Sequence, residues 1–206
     1  KKKKFYRRCW EKTVRQNVNT GRKGKIKMDA IQKQLLEAVA GFHQIPTGAY
    51  NIRANGATAA RNSTEHIEII PKEDGTGIDI WIKPGTKKES LHMPVILSQA
   101  GIKEVVYNDF HIGEDADVTI IAGCGIHNGG DASSQHDGIH RFYVGKNAKV
   151  KYVEKHYGSG DGKGQRIMNP QTIVEIEENG YMEMDTAQIK GVDSTIRKTE
   201  AKVAAG

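Results

Sequence analysis

The sequence predicts a mainly β protein built as a parallel β-helix, with a helix and a hairpin region in front of it. Three observations carry this. The first is an internal repeat. IGEDADVTI (112–120), VGKNAKVKY (144–152) and IEENGYMEM (176–184) superpose with a period of 32. Ile112, Val144 and Ile176 correspond, as do Ala116, Ala148 and Gly180, then Val118, Val150 and Met182. Each unit is an apolar residue, a polar turn, a small residue and a strand. A fixed period of this kind is the signature of stacked rungs that bury their apolar faces against one another. The second is the alternation of apolar and polar residues after about residue 102, the period of a strand with one buried face. The third is that only one segment has helical spacing.

That segment is MDAIQKQLLEAVAGF (28–42), where Ile31, Leu35, Leu36, Val39 and Phe42 line one face and Gly41 marks the end. Pro46, Thr47 and Gly48 make a turn. Residues 49–62 (AYNIRANGATAARN) are small and polar and give no firm assignment. HIEII (66–70) and GIDIWIKPG (77–85) flank PKEDGTG and predict a hairpin. LHMPVILSQAG (91–101) is a short apolar run broken by Pro94. Within the repeats, HNGGDASSQHD (127–137) and HYGSGDGKGQ (156–165) are expected to bulge as loops. The second lacks the order of a phosphate-binding loop and reads as a turn. The expected division is a basic leader (1–27), an N-terminal helical and α+β region (28–90) and a β-helix core (91–206).

The net charge of +6 is unevenly spread. Residues 1–27 hold twelve Lys or Arg and one acidic residue, and the remainder is acidic. With Phe5, Tyr6 and Trp10 such an arm could bind nucleic acid. It has no apolar period, however, and GRKGKIKM is what a purine-rich ribosome-binding stretch ahead of a start codon would encode. Met28 is therefore the expected native start, and nucleic acid is not an expected partner. The chain stops at AKVAAG without a capping element, so a missing C-terminal part is expected. No apolar run is long enough to span a bilayer, no signal-peptide core follows the leader, and two cysteines, Cys9 and Cys124, make no disulfide framework. These observations predict a cytoplasmic protein.

The chemistry concentrates in GCGIHNGGDASSQHDGIH (123–140). Cys124, His127, His136 and His140 have the spacing C-x2-H-x8-H-x3-H, with Asp131 and Asp137 among them. Thiolate and imidazole suit zinc, copper(I) or iron–sulfur chemistry, and Cys124, His127 and His140 are the candidate metal set. His136 and His140 would share a face on a helix, but Gly138 and the β-rich run after it predict that they diverge. A second reading is nucleophilic. Gly123 and Gly125 would let a reactant approach Cys124 closely, and a neighbouring imidazolium would raise its thiolate fraction. The plainest reading makes Cys124 a small buried rung residue. His43 and His66 read as structural, and His156 could lie one rung from the first site.

DVTIIAGCGIHNGG, HDGIHRFYVGKNAKVKYVEKHYG and PQTIVEIEENGYMEMDTAQIKG resemble the SufB/SufD family of iron–sulfur assembly scaffolds, over roughly residues 90–206. The resemblance implies a right-handed parallel β-helix and a non-enzymatic scaffold on which iron–sulfur clusters are built transiently. It implies an ABC-type ATPase partner (SufC), a SufB/SufD-like homo- or heterodimer partner and a cysteine desulfurase as sulfur donor. Cys124 matches the family's sulfur-accepting cysteine and His140 the histidine after the loop. The family's cluster-building and SufC-docking segments lie further C-terminal than this chain reaches. The alternatives are a β-helix metal-dependent hydrolase or zinc protein using His127, His136 and His140 with Asp131 or Asp137, and a β-helix binding module.

Overall fold

A computed structural model describes residues 28–42 and 46–205. The basic leader with Cys9, and His43, lie outside the described residues. The helix, α1 (Ala30–Ala40), begins at a reciprocal cap. Asp29 accepts a hydrogen bond from the backbone N–H of Gln32 at 2.8 Å, and the Gln32 side chain accepts one from the N–H of Asp29 at 3.2 Å. It ends at Gly41, whose φ of 68° is the left-handed conformation that glycine takes without cost.

The strands are β1 (Ala49–Ala54), β2 (Ala57–Asn62), β3 (Ile67–Pro71), β4 (Gly77–Ile82), β5 (Lys87–Leu97), β6 (Lys103–Ile112), β7 (Asp117–His127), β8 (Ser134–Val144), β9 (Lys149–Ser159), β10 (Arg166–Met168), β11 (Gln171–Ile176), β12 (Tyr181–Lys190) and β13 (Lys198–Val203). From β5 the chain alternates between two facing sheets, one ordered β12-β9-β7-β5-β1-β2 and the other β13-β11-β8-β6-β4-β3. Neighbours pair in parallel, apart from the antiparallel hairpins β1–β2 and β3–β4. The result is a β-solenoid of about four turns.

The repeat is the register of this solenoid. Val118 pairs with Val150, which pairs with Met182. The polar turns stack too: Asp115, Asn147 and Asn179 all have positive φ, and Asn147 Nδ2 donates to Asp115 Oδ1 at 3.1 Å. Asn and Asp tolerate that conformation better than other non-glycine residues, which is why they recur there. Between the sheets lies a core of Ile, Val and Ala with Phe110 and Phe142 stacked at a centroid distance of 4.4 Å.

Three local readings change. Residues 49–62 form a hairpin turned at Asn55–Gly56, both with positive φ; Asn-Gly is a strong hairpin signal. Residues 91–97 of the run 91–101 belong to the longer β5, and the pairing of β5 with β1 skips Met93 and Pro94, so the missing proline N–H costs no bond there. The loops are shorter than expected, at 128–133 and 160–165, and they stack: the N–H of Gly162 donates to Asn128 O at 3.0 Å and that of Gly164 to Gly130 O at 2.9 Å. The expected boundary between residues 90 and 91 falls inside β5, and one core takes residues from both sides of it.

Candidate functional site

The helix decides which side of Cys124 is open. Leu35 and Val39 of α1 pack on the outer face of β7. A Cβ on Gly123 would lie 2.9 Å from Val39 Cβ, and one on Gly125 would lie 3.1 Å from Leu35 Cβ. The two glycines therefore make room for the helix, not for a reactant. Cys124, between them, points inward and is 3% exposed.

On the inner side is a cavity of about 20 Å³, lined by Cys124 of β7, Glu154 and His156 of β9, and His136, Gly138 and His140 of β8, among others. That is room for one or two water-sized guests. Cys124 and His156 are direct partners in the parallel register, so their side chains leave the sheet on the same face. His136, Gly138 and His140 share the inner face of β8, where burial alternates residue by residue. The expectation that the two histidines diverge is corrected by the strand period: residues four apart on a strand lie on one face, as they do on a helix. Gly138 between them places no side chain against their Nε2 atoms. A Cβ there would sit 3.1 Å from His140 Nε2 and 3.3 Å from His136 Nε2.

Each ring is held by its other nitrogen. His136 Nδ1 meets Glu104 Oε1 at 2.9 Å, and Arg53 holds the second oxygen of Glu104 at 2.8 Å. His140 Nδ1 meets the Tyr152 hydroxyl at 2.8 Å. That hydroxyl donates to Glu154 Oε1 at 2.9 Å, so it accepts from His140, whose Nε2 is left with a lone pair. Arg197 donates to the other oxygen of Glu154 at 2.6 Å. His156 Nε2 lies 3.7 Å from Glu154 Oε1, beyond hydrogen-bond distance. The adjacent carboxylate favours the proton on Nε2 and leaves the lone pair on Nδ1, which has no protein partner.

Burial and the carboxylates set the charge states. Burial lowers the pKa of His140 to about 4, against the opposing pull of Glu154. Burial would raise Glu104, but His136 and then Arg53 bring it down to about 2. Glu154 is likewise held well below the usual carboxylate range, its burial outweighed by His156, His140 and Arg197. The Cys124 thiol is pushed well above the ordinary cysteine value, first by burial and then by the charges of Glu104 and Glu154. The expected activation of a resting thiolate by imidazolium is thus reversed: burial first, and then the negative charge of the carboxylates, hold the sulfur protonated.

The other candidates lie elsewhere. His127 ends β7 and meets Ser159 Oγ at 3.1 Å. Asp131 is exposed in the 128–133 loop, and Asp137 is on the outer face of β8, bonded by Gln135 at 2.7 Å. Among the described residues, no group of three or more His, Cys, Asp or Glu side chains is arranged to hold a metal ion. The residues that sequence reasoning missed are Glu104, Tyr152 and Glu154. Their signal was positional: in a 32-residue register, Glu154 and His156 stand opposite Ala122 and Cys124.

An iron–sulfur cluster assembly SufBD family protein of Methanocaldococcus jannaschii is 29% identical over 127 residues, 61% of this chain and 39% of that protein. A second, from Archaeoglobus fulgidus, is 30% identical over 120 residues, 58% of this chain and 31% of its own length. The chain is similar to SufBD family proteins. It spans between three and four tenths of the length of these SufBD relatives. No family model and no solved structure matches it. Among the described residues no helix is long and apolar enough to cross a membrane.

Proposed function

We propose that the chain serves iron–sulfur cluster assembly as a sulfur-handling scaffold, with Cys124 as the sulfur acceptor. The observation that carries this is the enclosed pairing of Cys124 with His156 in a SufBD-like solenoid. The thiol gives its proton to His156 Nδ1 through one water in the cavity that both residues line. Sγ attacks the outer sulfur of a donor persulfide, R–S–SH. The donor's S–S bond breaks, the new bond makes Cys124–S–SH, and the departing thiolate takes up the proton as R–SH. Nothing is oxidised or reduced overall. A buried neutral thiol is protected until a base takes its proton.

The cavity has room for one sulfur atom and not for a cluster of several iron and sulfur atoms. The cluster is therefore cargo completed outside it. In this reading the ATPase SufC, a SufB- or SufD-like partner and a cysteine desulfurase supply energy, the second half of the assembly site and the sulfur. The metal-hydrolase alternative is not favoured, because His127, Asp131 and Asp137 stand apart from His136 and His140.

The test is to purify the full-length protein anaerobically with its SufC-type ATPase, as wild type and as Cys124→Ala. Iron and acid-labile sulfide in near-equal amounts, reduced by the substitution, are expected. Iron and sulfide unchanged by Cys124→Ala would overturn the role of Cys124.

A further inference from the structure

Among the described residues, three that line the cavity carry a buried polar atom without a hydrogen-bond partner: His156 at Nδ1, Asn108 at Oδ1 and Arg53 at Nε. His156 is 3% exposed and Asn108 4%. A buried polar atom left unpaired costs about 1–3 kcal/mol, so the cavity is built for a guest.

The lining selects the guest. Cys124 offers sulfur, and Met168, 1% exposed, a thioether beside it. His156 Nδ1 and His140 Nε2 offer imidazole lone pairs. Glu104 and Glu154 each have both oxygens engaged, so no free carboxylate invites an oxygen-seeking ion such as magnesium or calcium. The lack of a three-residue His, Cys, Asp or Glu set argues equally against a tetrahedral zinc centre. Soft sulfur with imidazole is the donor set of copper(I). Glu154 lines the cavity and Glu104 bonds the lining His136, so negative charge stands around a cation placed there.

We propose that the cavity binds one copper(I) ion between Sγ of Cys124 and Nδ1 of His156, with Met168 beside it. The S–H bond breaks, an S–Cu bond forms, the proton passes to water, and the copper stays in its reduced state. The pair that handles sulfur is then blocked, so copper competes with sulfur for the site.

The experiment titrates the reduced full-length protein in a Cys9→Ser background, anaerobically, with copper(I) against a chromogenic copper(I) chelator. One ion per chain and one proton released per ion are expected, with sulfur and nitrogen neighbours in the X-ray absorption spectrum. Cys124→Ser and His156→Gln each weaken binding by at least about tenfold, the lower end of what even outer-shell changes cost. His127→Gln, outside the cavity, leaves it unchanged. Copper retained by Cys124→Ser, oxygen-only neighbours in the wild type, or zinc(II) bound as tightly as copper(I) would overturn the proposal. Copper is read directly, without iron, sulfide or ATPase, so this result is separable from that of the cluster-assembly experiment.

Discussion

Cys124 and His156 stand 32 residues apart in the chain and side by side in the solenoid, as in-register partners on β7 and β9. The interval is one rung of the repeat, so the stacking that builds the core also builds the pair. The helix covers the outer side of Cys124, and burial, with the carboxylates of Glu104 and Glu154 adding to it, keeps the thiol protonated.

The first consequence concerns reactivity. Cys124 in the folded protein is expected to react with iodoacetamide far more slowly at neutral pH than an unfolded cysteine. Its rate should keep rising beyond the pH at which an ordinary thiol, with a pKa of about 8.5, has levelled off. Alkylation followed by mass spectrometry across pH, in a Cys9→Ser background, checks this. A neutral-pH rate equal to that of the unfolded chain would contradict the charge environment described.

Gly138 predicts a cost of space. Gly138→Ala places a methyl group within 3.3 Å of both His136 Nε2 and His140 Nε2. Overpacking of this kind costs about 1–3 kcal/mol. Chemical denaturation should show a loss in that range. Sulfur loading of Cys124 should fall more than the stability loss explains, because the methyl occupies the guest's space. Unchanged loading would show that sulfur does not use the region between the histidines.

Acid sensitivity follows from His140 and Glu104. His140 has a folded pKa near 4 against about 6.5 unfolded. Between those values the unfolded chain binds the extra proton, so stability falls as pH drops from about 6.5 to about 4. The integrated effect is on the order of 3 kcal/mol at most. Glu104, lowered to about 2, adds a further loss as pH falls through its unfolded value toward that pH. Urea midpoints measured from pH 7 to pH 4 should decline, and His140→Phe should flatten the upper part of that decline.

Arg197 reaches Glu154 from the last turn, and Glu154 is 4% exposed. Arg197→Met leaves a buried carboxylate without its guanidinium. Losing one partner of a fully buried pair costs about 3–5 kcal/mol, and the partial exposure of Arg197 brings the expectation down to roughly 2 kcal/mol. Glu154→Gln in the Arg197→Met background should recover part of it, as a double-mutant cycle would show.

Much of this was legible in the sequence, and the limits have physical causes. The spacing of Ile112, Val144 and Ile176 announced the rungs because strand stacking forces a constant interval. The face of Leu35, Leu36 and Val39, with Gly41 near its end, announced the helix, whereas the cap at Asp29 emerged from the structure. The role of Gly123 and Gly125 was not legible, since what packs on a strand's outer face comes from α1, over eighty residues earlier. His136 and His140 were placed apart although strand geometry puts them together. Glu104, Tyr152 and Glu154 looked like ordinary strand residues. Glu104 reaches His136 as its in-register neighbour on β6, and the facing of the two sheets brings Tyr152 and Glu154 to His140.

The most direct measurement of the central claim is the sulfur content of Cys124 itself. The reduced full-length protein, in a Cys9→Ser background, is exposed anaerobically to a small sulfane donor such as inorganic polysulfide. It is then trapped with an alkylating agent and read by peptide mass spectrometry. The account predicts one added sulfur atom on Cys124, much less in His156→Gln, and none anywhere in Cys124→Ala. Cys124 free of added sulfur, or loaded equally well without His156, would contradict it.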